Sequence, residues 1–271
     1  KASLVTSIVF GRDNSLDNED KEYMSRFGVI HALSVSGLHV GIIFLIFKKL
    51  LNEKISLLIT FMYVMMTGIA FSSLRAFIML LFSNLGFMLR RRYNPIGGIA
   101  ISIIIIFLLS PYCIFNIGFL LSFSSTIGIL LYSKKIKRKL YKIPEFLLDT
   151  ISICLAAQIF TFPLLIIYFN EFSIGFIVGN IILIPIINLI LIIGVINILM
   201  IGFSEVFDFL SFALNILIDI LDYLTNMLSN FVPEILNITS EYAYFYISLL
   251  ITYYLYNKGV SALGRNKLTS M

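Results

Sequence analysis

From Val29 onward the chain alternates long apolar runs with short polar breaks, at about 29–51, 55–71, 73–90, 95–110, 114–133, 146–169 and 173–203. A mixed stretch over 204–232 and a last apolar run over 242–257 follow. A spanning helix takes about 20 apolar residues, so these runs predict membrane helices; the shortest of them cross only with tilt, a thinner bilayer or borrowed flanks. Within 204–232, Glu205, Asp208, Asn215, Asp219, Asp222 and Asn226 recur at three-, four- and seven-residue steps, which puts one polar stripe on one helix. Such a helix faces a partner, lines water or lies flat in the interface. The expected architecture is all-α: a polytopic transmembrane bundle of about 7–9 membrane segments, with broken helices and one amphipathic helix.

Ahead of the first run, residues 1–28 predict a water-exposed helical lead-in. Gly11 stops a short apolar helix there, and "SLDNEDKEYMSRFG" predicts a second one with Ser15 or Asp17 as cap and Gly28 at its end. The division expected is an extracytoplasmic lead-in (1–28), a transmembrane domain (29–257) and a tail (258–271).

Composition fixes the solvent. Of 271 residues, 59% are hydrophobic and 13% charged, against roughly 25% charged in soluble domains. Mean hydropathy is +0.98, more apolar surface than a soluble core of this length hides. The chain begins at Lys1 without an initiator methionine or a cleavable signal pattern, which suggests a piece of a longer protein. Cys113 and Cys154 sit in apolar runs without metal-type spacing and say nothing about redox compartment. The pI near 9.1 admits a nucleic-acid partner, but topology explains it first. If every run crosses, Lys48, Lys49, Lys54, Arg90–Arg92, the "KKIKRK" run with Lys142, and Lys258, Arg265 and Lys267 share one side. The positive-inside rule makes that side the cytoplasm and places residue 1 outside.

With that orientation polar positions rank by depth. Ser36, Asn84, Ser122, Gln158 and Asn180, on five different helices, fall roughly 10–17 Å beneath the outer surface at 1.5 Å per residue. Each alone has a plain role in bonding a neighbouring helix or its own backbone; their common depth suggests a cavity. Three places also look discontinuous. "SVSGLH" joins Ser34 and Ser36 to Gly37, a site for unwinding. "FSSLRAF" offers Ser72 or Ser73 as a helix cap with Arg75 behind it, and Pro185 interrupts an apolar run. Broken membrane helices expose amides that favour anions, and Arg75 adds the fixed positive charge near the layer. A snorkelling anchor is an equally simple use of that arginine.

His31 and His39 are eight residues apart, about 80° round and 12 Å along a straight helix, too far to share an ion. No metal or cofactor site is expected. Hydrogen bonding to backbone or phosphate suits both histidines better. Serine chemistry at Ser34 or Ser36 lacks a G-x-S-x-G elbow and an acid partner, and phosphate-binding glycine loops are absent, so no motor belongs to this chain.

"GRDNSLDNEDKEYMSRFGVIHALSVSGLHVG" resembles the His-, Ser-, Gly- and His-containing block of the ComEC-type competence proteins. "FSSLRAFIM", "SPYCIFNIGFLLSFSSTIGIL" and "GNIILIPIINLILIIGV" are similar to that family's later blocks, in family order over about 1–203. The resemblance implies the channel domain of the bacterial inner-membrane DNA-uptake machinery, passing single-stranded DNA into the cytoplasm during natural transformation. It also implies a separate motor and DNA receptor as partners besides the lipid bilayer. No catalytic residue is expected here, since the family's nuclease belongs to another domain. On this reading the DNA-path candidates are His31, Ser34, Ser36, Gly37, His39, Ser73, Arg75, Asn84, Ser122, Gln158 and Asn180. Phe71, Phe119 and Phe123 are candidates for stacking bases, and Gly37 and Pro185 for breaking helices. Two rivals use the same residues: a secondary transporter of a small anionic solute, and a membrane-embedded hydrolase built on Ser36 with His31 or His39.

Overall fold

A computed structural model describes residues 1–11, 18–32 and 35–252. Ser15, Asp17, Ser34 and the 258–271 tail lie outside the described residues. The order is α1 (Ala2–Phe10), α2 (Asn18–Arg26), α3 (Gly37–Leu50), α4 (Glu53–Met66), α5 (Phe71–Met88), α6 (Pro95–Leu109), α7 (Ile117–Lys139), α8 (Glu145–Phe169), α9 (Phe176–Val178), α10 (Ile184–Leu199) and α11 (Ser204–Ser229). Helical backbone also covers 240–252. Two-residue strands β1 (Glu171–Phe172) and β2 (Leu236–Asn237) pair antiparallel.

Four described helices are long and apolar enough to cross a membrane: Phe71–Met88, Ile117–Lys139, Leu147–Phe169 and Phe176–Leu199. That is fewer than the 7–9 segments the hydropathy predicts. The difference arises where apolar runs are not wholly α-helical. The run from Val29 makes a 3-10 turn at Ile30–Ala32 and starts its helix only at Gly37, leaving α3 with 14 residues, the same as α4. At 1.5 Å per residue each is about 21 Å long, short of the bilayer's hydrocarbon thickness.

The largest core forms around α10. Ile187, Ile190, Leu191 and Val195 are buried against Leu214, Ile218 and Leu221 of α11, Ile43 of α3, and Leu4, Ile8 and Val9 of α1. The α11 pattern explains its placement: Leu214, Ile218, Leu221 and Thr225 form the buried stripe, while Glu205, Asp208, Asn215, Asp219 and Asn226 are exposed. Near the start of α11, Asn197 Nδ2 donates to the Phe207 carbonyl and the Ser211 hydroxyl, both at 3.0 Å. Beyond its other end, Arg26 donates to the carbonyls of Ser229 (2.8 Å) and Val232 (2.6 Å). α11 thus packs back on α10 from its start, and Arg26 of α2 ties its far end.

Two expectations need correction. The lead-in is not simply water-exposed: α1 is buried in the bundle, with Val9 pressed on Gly194 and the Val9 carbonyl accepting from Tyr63 Oη at 2.7 Å. Gly11 does end α1, in the left-handed region (φ 67°), and Gly28 follows α2 at φ 63°. Pro185 does not break its helix. A π-helical turn at Gly179–Leu183 precedes it and keeps Phe176–Leu199 continuous, the wider turn accommodating a residue without an N–H.

α7 and α8 pack closely as an antiparallel pair, and a Cβ on Gly128 would lie 2.3 Å from the Ala156 carbonyl oxygen. Gly128→Ala is therefore expected to destabilise the protein by about 1–3 kcal/mol through overpacking. Thermal unfolding in detergent checks this. Gly41→Ala, where nothing lies within 4 Å of the added carbon, should stay near wild type.

Candidate functional site

The site assembles where the starts of α3, α5 and α7 converge. Ser36, in extended conformation (φ −100°, ψ 171°), caps α3 in a reciprocal box with His39. The Ser36 backbone N–H donates to His39 Nδ1 at 3.3 Å, and the Ser36 hydroxyl lies 2.9 Å from the same nitrogen. Since Nδ1 accepts, Nε2 carries the proton and donates to the Ile8 carbonyl at 3.0 Å. The ring is 1% exposed, so His39 fastens α3 to α1 with both nitrogens engaged. It does not join the arginine cluster described next. Ser36 and His39 also stand at the distance of a nucleophile and its base, but a backbone carbonyl, not a carboxylate, sits behind the ring.

α5 is capped by Ala70, not by either serine. Ser73 returns its hydroxyl to the Ala70 carbonyl at 2.8 Å and is buried. Ser72 donates to the Val35 carbonyl at 2.8 Å and so ties α5 to the stretch that feeds α3. One turn further on, half-buried Arg75 reaches across to α7. Its Nε donates to Ser122 Oγ at 2.8 Å, and its guanidinium carbon lies 5.9 Å from the Phe123 ring centroid. Nη1 contacts Met79 Sδ at 3.5 Å, and Nη2 lies 3.2 Å from where a Cβ on Gly37 would sit. Among the described residues three salt bridges form, Lys1–Asp219, Lys48–Glu53 and Lys137–Asp149, and none includes Arg75.

Asn116 positions α7 by accepting from the Phe119 amide at 3.1 Å. Phe71, Phe119 and Phe123 then form a ladder, with centroids 6.0 Å apart at 86° for the first pair and 4.5 Å at 45° for the second. Phe119 and Phe123 are buried, so their faces are spent on each other and on the arginine in this conformation.

The rest of the expected layer bonds within its own helix. Asn84 donates to Leu80 (2.8 Å) and Asn180 to Phe176 (2.7 Å), while Gln158 accepts from Thr161 (2.5 Å). His31 is exposed, with Nδ1 donating to the Gly28 carbonyl at 3.1 Å. Gly37, Arg75, Ser122 and the three phenylalanines are brought together; the others are not. The sequence reading missed Met79, whose i+4 spacing from Arg75 was its signal, and Tyr93, discussed below. No group of three or more His, Cys, Asp or Glu side chains is placed to hold a metal ion among the described residues.

A family model described as "Competence protein" matches residues 8–258. ComE operon protein 3 of Bacillus subtilis (strain 168) is 31% identical over 191 residues, which cover 67% of this chain and 24% of that protein. The chain thus spans about a quarter of the length of this relative. No solved structure matches. Four apolar helices of spanning length and a family match over most of the chain agree on a membrane protein, and the chain belongs to the ComEC-type competence protein family.

Proposed function

We propose that this chain forms the path by which single-stranded DNA crosses the bacterial inner membrane during natural transformation, acting as a channel and not as an enzyme. A separate motor and a DNA receptor would supply force and substrate. The observation that carries this reading is Arg75: a guanidinium held among three helices, bonded to a hydroxyl, with no carboxylate partner among the described residues. A charge drawn even partly out of water is costly unless it is paired, so a site like this suits a ligand that brings its own negative charge. A DNA strand presents one phosphate per nucleotide. One cation backed by hydroxyls binds each phosphate weakly enough to release it to the next, as conduction requires. The Ser36–His39 contact is read as a helix cap, because the ring is consumed in holding α1.

The test is protection of labelled DNA from external nuclease in cells carrying the full-length protein, compared with matched Arg75 variants. DNA that becomes protected without any dependence on Arg75 would overturn the reading. Orientation belongs to the same proposal, with residue 1 outside. Single cysteines in 134–142 should react only with membrane-permeant thiol reagents, and those in 12–26 with impermeant ones. Labelling of the 134–142 loop from outside would reverse the topology.

A further inference from the structure

Tyr93 lies in the link between α5 and α6, directly after Arg90, Arg91 and Arg92. Its side chain turns inward between the two helices. A Cβ on Gly86 would lie 3.8 Å from the Tyr93 Cβ, and one on Gly98 only 2.1 Å from its hydroxyl. Glycine at 98 is what lets the phenol enter. The hydroxyl it carries in is buried and has no hydrogen-bond partner. Buried tyrosine hydroxyls ordinarily find one, because leaving the group unmade costs its desolvation without return. Burial raises the phenol's pKa, and the charge of Arg75 opposes that rise. Immediately before Tyr93 in the chain, Arg90, Arg91 and Arg92 line a concavity of about 590 Å³ together with Glu53, Phe87 and Met88.

Three features therefore occur along α5 and the link that follows it: a cation without an ion-pair partner among the described residues, a buried hydroxyl with nothing to bond, and a basic concavity. We infer that Tyr93 is the next polar contact after Arg75 on the strand's path, its hydroxyl donating to a phosphodiester oxygen as the backbone moves toward the arginine-lined concavity. This rests on the DNA-path reading above and deepens it. A phosphodiester fits the chemistry: it is anionic, it accepts hydrogen bonds, and it repeats, so the bond made at Tyr93 is broken when the next phosphate arrives.

The test is Tyr93→Phe in the full-length protein, run beside Arg75→Gln, with membrane abundance, thermal stability and DNA uptake all measured. Phenylalanine keeps the ring and removes the unpartnered hydroxyl, so abundance and stability should hold or rise. Uptake should fall roughly tenfold, the size of one hydrogen bond to a charged group. Unchanged uptake in Tyr93→Phe with loss in Arg75→Gln would make Tyr93 a packing residue and overturn the inference alone. Unchanged uptake in both would remove the DNA-path reading itself. Reduced abundance in Tyr93→Phe would mean that the hydroxyl supports the fold, and this too counts against the inference. A lipid headgroup carries the same phosphodiester. Loss of a co-purifying anionic phospholipid in Tyr93→Phe, with uptake intact, would assign the hydroxyl to lipid instead.

Discussion

Arg75→Gln is expected to lose most DNA uptake at wild-type membrane abundance, while Arg75→Lys keeps part of it. Glutamine keeps an N–H donor but is shorter and carries no charge. The change removes a hydrogen bond to an ionised partner, about 1.5–3 kcal/mol, or roughly tenfold to a hundredfold. Lysine restores the charge without the planar fork. Arg75 uses that fork to hold Ser122 with Nε while presenting Nη1 and Nη2 to Met79 and Gly37, so a point charge recovers attraction and loses placement. Wild-type uptake by the glutamine variant would reduce Arg75 to an anchor that merely packs against Phe123.

The second large effect belongs to Gly37. It does not use the left-handed backbone region; among the described residues the glycines that do are Gly11, Gly28 and Gly68. Its need is close approach. A Cβ there would lie 3.2 Å from both Ala76 Cβ and Arg75 Nη2, tighter than ordinary contact, so one neighbour must give way. The arginine is the flexible one and should be displaced. Gly37→Ala should therefore impair uptake although alanine favours a helix by up to about 1 kcal/mol, and Gly37→Leu should abolish it while the protein still inserts. Stability and function then move in opposite directions. Equal uptake by Gly37→Ala and wild type at matched abundance would mean that α3 and α5 merely pack there.

The residues that make this cluster were legible because each breaks a local rule. A glycine between serines, an arginine inside an apolar run and a serine in a phenylalanine-rich helix each stand out against hydrocarbon. Depth along a helix proved a weaker guide, since equal depth does not set which way a side chain points. Asn84 and Asn180 bond their own preceding turns and so never needed a cavity. The burial of α1 was illegible for a different reason: a nine-residue helix is too short to span, and periodicity names a buried face without naming what covers it. The π turn before Pro185 escaped too, because a proline announces a missing N–H but not how the backbone compensates.

The exposed acidic face of α11 bears on how the protein is made. An aspartate at a helix centre opposes insertion by about 2.5–3.5 kcal/mol on the translocon scale, and α11 carries Asp219 and Asp222 near its middle. Alone it is a poor candidate for release into lipid. Joined to α10 by the short link at 200–203, it can enter as half of a hairpin whose apolar partner supplies the missing affinity. The charge that offsets Asp219 comes from Lys1, 2.5 Å away, beside the start of α1. α1 and α11 thus meet across every helix that lies between them in the chain, so this ion pair forms only once α11 has been made.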